Sequence, residues 1–375
     1  MANKVVVTME RSAFERAPRA AGGKGLHRRE LLPTPVTMLS TILAAEHRSR
    51  FRRAVVLSLA LCAFGCSRSS KDLPPGRVVV ALTIDWEGAY LSPEGISAME
   101  DVRTSVGPVP ITHFVSAGYF TKTSPDPAVT SALARAVRKG DEVGLHLHGW
   151  RSLATASGIT PKLSPSFLTG DDKLLEFEDG DVGFDLDLDA YTVTELRALL
   201  RTSRRLLEEH GVTVSRSFRA GGYLGTAKVL EAAGEEGYKV DSSATDYRQL
   251  NERKDELPYR LQKLWPDVTT VSQPFMINNA FHELEMPIAA FADYAESAEI
   301  VAIFDAAETR LARDPQHDVF VVLGFHQETG DDFASRMKAA LTTVRSRATL
   351  NKLIVFKTVE EAASLALAGA LAARR

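Results

Sequence analysis

Four short stretches carry side chains that could do chemistry together. Asp85 and Glu87 stand two apart in LTIDWEG (82–88). In an extended segment both carboxylates project to one side, so one can hold a cation while the other moves a proton. His146 and His148 form an H-x-H pair in GLHLHGW (144–150). On a strand the two imidazoles aim at one point, and neutral nitrogen donors at that spacing suit Zn²⁺ or another borderline divalent ion. Arg219 precedes two glycines in SFRAGGY (217–223). A guanidinium there can grip a carboxylate bidentately and fix its orientation, while the glycines let backbone approach a ligand. His326 sits in VVLGFHQ (321–327), where a protonated imidazole can act as general acid. Taken singly, each stretch is also what an ordinary strand-to-loop boundary or a hydrogen-bonded core histidine looks like.

The elements that must position these groups alternate in type. Residues 78–84 (VVVALTI), 111–115, 142–148, 216–220, 238–242, 284–287, 319–325 and 353–358 read as strands, and the first is apolar enough to be covered on both faces. Helical patterns fall near 127–139, 192–210, 226–236, 293–313 and 332–345, and Thr192 with Glu195 predicts a capping box. This rhythm predicts βαβ units and a mostly parallel sheet, open or rolled into a barrel. All four motifs then fall at strand C-terminal ends, where such folds build their sites. Two segments break the rhythm. Residues 151–190 are acidic and turn-rich, and residues 244–281 carry Pro258, Pro266 and Pro274 without clear periodicity. Both are predicted to be long loop insertions, the kind that serve as lids or binding loops. The run GDDKLLEFEDGDVGFDLDLD (170–189) lacks the Gly and Glu spacing of an EF-hand loop and reads as a solvated acidic loop.

Composition narrows the class. The chain has 375 residues, 45% hydrophobic and 25% charged, which argues against wholesale disorder and against a polytopic membrane protein. A net charge of -3 offers no basic field for nucleic acid, so none is expected as a partner. The only cysteines are Cys62 and Cys66, so a metal site in the body must use His, Asp or Glu. Residues 47–53 (HRSRFRR) followed by the apolar run 54–64 (AVVLSLALCAF) read as a secretory signal, too short to span a bilayer comfortably. Gly65 before Cys66 resembles a bacterial lipoprotein processing box, which makes Cys66 the expected lipidation site and membrane anchor. The expected organisation is an export segment over 1–65, a flexible tether over 66–76 and one domain over 77–375. Residues 1–37 would make an unusually long n-region, and Met38 is an alternative start. The protein is expected outside the cytoplasm, facing the periplasm or cell exterior.

In this order the motifs resemble those of the polysaccharide deacetylase family, carbohydrate esterase family 4. Neighbouring stretches agree: THFV (112–115) is similar to its second strand, GDEVG (140–144) to the stretch leading into its His motif and GYKVDSS (237–243) to a later strand, and the resemblance spans roughly residues 77–360. It implies a distorted (β/α) barrel of about seven parallel strands with two long loop insertions. It implies Asp85 as catalytic base, Arg219 as the residue orienting it, and His326 as general acid. Glu87 and His146 match metal ligands. Two departures stand out. Trp86 separates the two acids, as in a D-x-E variant, and the family's usual four-residue His spacing would put Trp150 at the second ligand position. His148 is therefore the expected substitute ligand. The implied activity is metal-dependent hydrolysis of an N-acetyl amide on an extracytoplasmic glycan, with Zn²⁺ the first choice of divalent ion. The alternatives are a degenerate glycan-binding lipoprotein and a C–N hydrolase of a small non-sugar amide. Trp150, Tyr223, Tyr247 and Trp265 are candidate sugar-stacking rings.

Overall fold

The computed structural model describes residues 75–250, 252–278 and 283–373. The export segment, Met38 and Cys66 lie outside these described residues. Ten strands form one mixed sheet: β1 (Val78–Trp86), β2 (Ile111–Ser116), β3 (Glu142–Leu147), β4 (Ser217–Ala220), β5 (Val240–Asp241), β6 (Phe275–Asn278), β7 (Glu283–Glu285), β8 (Ile288–Phe291), β9 (Val319–His326) and β10 (Ile354–Phe356). All pairings are parallel except β6 with β7. The order β5-β4-β3-β2-β1-β9-β8 has β7 beside β5 at one end. Because β7 runs into β8 through Met286 and Pro287, the partner of β5 and the partner of β9 are successive parts of one bent strand. Counting that bent strand once, seven positions return to their start, and a parallel bridge from Thr245 to Ile288 joins the β5 and β8 sides. The expected barrel of about seven parallel strands is present.

Strand parity decides which residues meet inside. Val78, Val80, Leu82 and Ile84 pack outward in a cluster with Met99, Leu133 and Phe304 of the surrounding helices, whereas Val79 and Ala81 join a second cluster with Phe114, Phe291 and Val322. A period of two therefore puts Thr83, Asp85 and Glu87 on the same face as Val79. By the same count Val143, Leu145 and Leu147 face the helices, so His146 and His148 face inward. Phe218 and Ala220 likewise leave Arg219 inside, and Phe325 leaves His326 inside.

Several expectations need correction. The helix Pro93–Val106 went unforeseen although Ser92 caps it, accepting from the Gly95 N–H, and Pro93 sits in its first turn. Residues 244–281 are not simply a loop, since they contain the helix Leu257–Leu264 and β6. Of the expected tether only Pro75 and Gly76 lie among the described residues, and Gly76 is held against the domain: its N–H donates to the Pro315 carbonyl at 2.8 Å, and a Cβ there would lie 2.3 Å from the His317 carbonyl oxygen. Nor is the acidic run uniformly solvated. Asp181 and Asp185 are buried. Asp185 accepts from Ser166 Oγ and from the Leu175 N–H, so its burial, which raises its pKa, tethers the two halves of the insertion. The capping box at Thr192 and Glu195 is present.

One ion pair fixes the barrel's lower rim. Asp141, entering β3, accepts two hydrogen bonds from Arg103 at 2.7 and 3.1 Å, one from the Ile111 N–H at 3.0 Å and one from the Arg138 N–H at 2.8 Å. Burial opposes its charge, but His113, Arg103 and these N–H groups outweigh it and hold the carboxyl below the ordinary range. Removing one member of such a pair strands the other, at a cost of about 3 kcal/mol. Asp141→Asn is therefore expected to lower unfolding free energy by about that amount at pH 7. A folded pKa below the unfolded value of about 3.9 stabilises the native state above that pH, and the benefit fades as pH falls through it. The wild-type advantage in denaturant midpoints should accordingly shrink below about pH 4.

Candidate active site

Glu87, His146 and His148 converge at the C-terminal mouth of the barrel. The His146 and His148 Nε2 atoms are 3.2 Å apart, and both reach the same Glu87 oxygen, Oε2, with His146 at 3.1 Å. The two rings meet edge-on, 4.8 Å between centroids at 87°. They do not splay to opposite faces. Each ring's other nitrogen faces a backbone carbonyl: His146 Nδ1 donates to Arg219 O at 3.0 Å, and His148 Nδ1 donates to Phe184 O. These contacts place the ring proton on Nδ1 and leave both Nε2 lone pairs directed at the carboxylate. Three electron-rich donors brought together in a buried place repel one another unless a cation or added protons lie between them. The donor set, one carboxylate oxygen and two imidazole nitrogens within 4.8 Å of one another, fits a divalent metal ion. Burial opposes the Glu87 charge, yet His148 and His146 outweigh it and hold the carboxyl well below the usual range. Burial likewise opposes a charge on His146, but Glu87 beside it raises its pKa.

Asp85 lies one inward position before Glu87 and is fully buried. Arg219 Nη1 donates to its Oδ1 at 2.6 Å, while Oδ2 has no hydrogen-bond partner among the described residues. The grip is single, not the expected bidentate fork, because the rest of the guanidinium is engaged elsewhere. Nη1 also meets Thr83 Oγ1 at 3.0 Å, Nε donates to Ser242 O at 2.6 Å, and Nη2 donates to Ser242 Oγ at 2.8 Å. Phe114 and Phe291 flank the guanidinium at 4.1 and 5.3 Å. Two glycines make room for those rings, since a Cβ at Gly144 or at Gly324 would sit 2.7 Å from Phe114 or Phe291 respectively. An arginine in this sandwich has one geometry available, and it passes that geometry to Asp85.

His326 stands across the site, with Nε2 3.1 Å from Glu87 Oε1 and 3.3 Å from the Tyr223 hydroxyl. Its Nδ1 lies 3.0 Å from Asp293 Oδ1. Burial disfavours its charge, but Asp293 and Glu87 overcome that and raise its pKa well above the imidazole range. Tyr223 takes a positive φ of 62° directly after Gly222 at 60°, which turns the chain back over the site. Gly221 is obligatory for space, because a Cβ there would lie 2.6 Å from the His148 ring. Tyr223 thus touches the site through its hydroxyl, and its ring is 4% exposed.

Trp150 is placed differently from expectation. It has no exposed surface, and Lys122 Nζ covers its ring at 3.2 Å. No face remains for a sugar. Instead Trp150 Nε1 donates to the Glu87 carbonyl at 3.0 Å, so the indole fixes the backbone of that acid. Trp265 is also buried, and its Nε1 donates to Tyr223 O at 3.1 Å. Several contributing residues went unread. Phe184 stacks on His148 at 4.8 Å and 9°, so the insertion 151–190 orients that histidine. Asp293 opens a helical pattern in the sequence, yet it follows the inward Phe291 by two. Glu328 repeats the two-residue step after His326, and its Oε1 accepts from the Glu87 N–H at 3.0 Å and from Tyr119. Burial and the Glu87 charge push its pKa up to about 8.

No protein-family model and no curated protein matches this chain. Solved structures do. One, described as a polysaccharide deacetylase from Mycobacterium smegmatis, is 16% identical with a TM-score of 0.45, covering 79% of this chain and 96% of its own. A family 4 carbohydrate esterase from Streptomyces lividans in complex with acetate is 11% identical with a TM-score of 0.37, covering 76% and 93%. An allantoinase is 13% identical with a TM-score of 0.44, covering 77% and 90%. At these identities the chemistry has to be carried by the side chains described above. Solved structures to which this chain is similar include polysaccharide deacetylases, family 4 carbohydrate esterases and an allantoinase.

Proposed function

We propose that this protein is a metal-dependent hydrolase of an N-acetyl amide on a glycan. The observation that carries the reading is the convergence of Glu87, His146 and His148 beside a buried Asp85 whose Oδ2 is unpartnered. Glu87, His146 and His148 would hold the divalent ion, Zn²⁺ being the first choice for a carboxylate and two imidazoles. When bound, that ion supplies Lewis acidity, polarising an amide carbonyl and lowering the pKa of water toward about 7. Asp85, fixed through Oδ1 by Arg219, offers Oδ2 to take the proton from the attacking water. A backbone N–H near Tyr223 would stabilise the developing oxyanion. His326, with Nδ1 3.0 Å from Asp293 Oδ1, gives the Nε2 proton to the departing amine, so the C–N bond breaks with acetate and a free amine as products. Tyr223 OH stands beside that nitrogen and orients the transfer.

The export segment and Cys66 would tether this domain outside the cytoplasm, where such glycans lie. The test is release of acetate from chitin oligosaccharides and peptidoglycan fragments, compared with small amides, before and after chelation. Chelator-sensitive release from the glycans supports the reading. Turnover of small amides alone would move the assignment to a C–N hydrolase, and stoichiometric glycan binding without metal would make it a binding protein. A second check concerns space. Gly221→Ala should push the His148 ring aside and weaken Zn²⁺ or Co²⁺ binding about 10- to 100-fold in titration calorimetry, the loss typical when a metal ligand is misoriented.

A further inference from the structure

Glu87 divides its two carboxylate oxygens between opposite sets of donors. Oε2 serves His146 and His148, whereas Oε1 lies 3.1 Å from His326 Nε2. On that second side Asp85, Glu87 and His326 each offer a donor atom within 4.8 Å of the other two, and all three residues are buried. Asp85 has no exposed surface, Arg219 takes its Oδ1, and its Oδ2 has no partner among the described residues. A buried carboxylate oxygen without a donor is costly, and a cation relieves that cost. His326 is backed in the manner of a metal-binding imidazole. Its Nδ1 faces Asp293 Oδ1 at 3.0 Å, and Asp293 is itself held by Thr329 Oγ1 at 2.6 Å and by the His326 N–H at 3.3 Å. Imidazoles that ligate metals usually have such a carboxylate behind the other ring nitrogen, which orients the ring and strengthens the donor. In two-metal sites the ions stand about 3.5–4 Å apart, close enough for one carboxylate to bind both.

We infer that Asp85, Glu87 and His326 form a second site for a divalent cation, which shares Glu87 with the first and stops the reaction when it fills. The ion would take Asp85 Oδ2, Glu87 Oε1 and His326 Nε2, and the Nε2 proton would leave to solvent. The reaction then loses both groups that move its protons, because Asp85 no longer accepts from water and His326 has no proton to give. The second set is the weaker of the two. It has one imidazole where the first has two, Arg219 competes for Asp85, and the cation must displace a proton from His326. It therefore fills only when cation exceeds the first equivalent, and it empties on desalting. Occupancy does not depend on which bond the enzyme cleaves. The inhibition rests on the deacetylase reading above, so binding and turnover are measured separately.

The metal-free full chain is titrated with Zn²⁺ by equilibrium dialysis and calorimetry, and acetate release from chitin oligosaccharides is followed over the same range. Wild type should bind one tight equivalent and then a weaker second, and acetate release should rise with the first and fall as the second fills. His326→Leu should keep the tight equivalent and lose the weak one, whereas Glu87→Gln should weaken both. Asp293→Asn leaves all three donors in place and should weaken the second equivalent alone, by about 10- to 100-fold. Circular dichroism verifies that each variant is folded, and Asp293→Asn decides the matter where His326→Leu is not. One equivalent or none in the wild type, or a second that survives these changes, overturns the site. A second equivalent that depends on His326 while acetate release stays at its plateau overturns the inhibition. A second equivalent that depends on His326, with no acetate released from any glycan at any loading, upholds the site and defeats the deacetylase reading.

Discussion

His146→Ala should remove both the bound divalent ion, measured by elemental analysis, and acetate release. His146 contributes an Nε2 lone pair whose direction is set by the Nδ1 bond to Arg219 O, and the nearest alternative donor, His148, is already committed to the same Glu87 oxygen. Deleting it leaves one carboxylate and one imidazole, fewer than the three protein ligands usual for catalytic zinc. Loss of an outer-shell partner alone weakens metal binding about 10- to 100-fold, so loss of a direct ligand should exceed that. The fold should survive, because the ring occupies the mouth of the barrel and not the helix-facing core. Thermal unfolding in chelator therefore separates the two effects: wild type and variant should melt within a few degrees of each other without metal, and only the wild type should gain stability when Zn²⁺ is added. Retained metal with full activity would refute the ligand assignment.

How much of this was readable without coordinates follows from strand geometry. Asp85 with Glu87, and His146 with His148, could be paired because alternation on a strand is fixed by covalent geometry and needs no knowledge of neighbours. Arg219 and His326 were legible by their place at strand ends, but not their partners. Arg219 contacts Thr83, Asp85 and Ser242 across three strands, and nothing local in SFRAGGY encodes which acceptor takes which nitrogen. Asp293 and Glu328 did carry a signal, the continued two-residue step past Phe291 and His326, which was masked by the helical pattern that follows each. Phe184 carried none. It reaches His148 from 36 residues downstream through a segment whose course is set by Asp181 and Asp185 buried against Lys122 and Ser166, and acidic runs look solvated until such partners are known. Trp150 misled for a related reason. A tryptophan next to a histidine motif looks like a binding platform, and only the position of Lys122 over its ring shows that the face is taken. The bent strand from β7 to β8 was hidden because Pro287 interrupts it, and each piece alone is too short to show a period.

Arg219→Met should be the most damaging single change to stability, and pairing it with Asp85→Asn should partly reverse the damage. Arg219 and Asp85 are both wholly buried and in contact at 2.6 Å. Deleting the cation leaves a wholly buried carboxylate without its counter-charge, and breaking a buried pair by removing one partner costs about 3–5 kcal/mol. Asp85→Asn leaves the guanidinium with Thr83, Ser242 and the new amide oxygen as acceptors, so it should cost less, about 3 kcal/mol, the low end of that range. In the double variant no uncompensated charge remains, and the amide and thioether can share the space between the rings. The two losses should therefore fall short of adding, by about 1–3 kcal/mol in a double-mutant cycle read from urea unfolding. Activity should behave differently. Either single change, and the double, should lower kcat by about 10²–10⁴, because a proton acceptor held in one orientation is lost in every case. Stability that recovers while kcat does not would show that the buried pair serves the reaction and not the fold alone. Strict additivity in the unfolding data would mean that the two side chains act independently, and the orienting role given to Arg219 would fall.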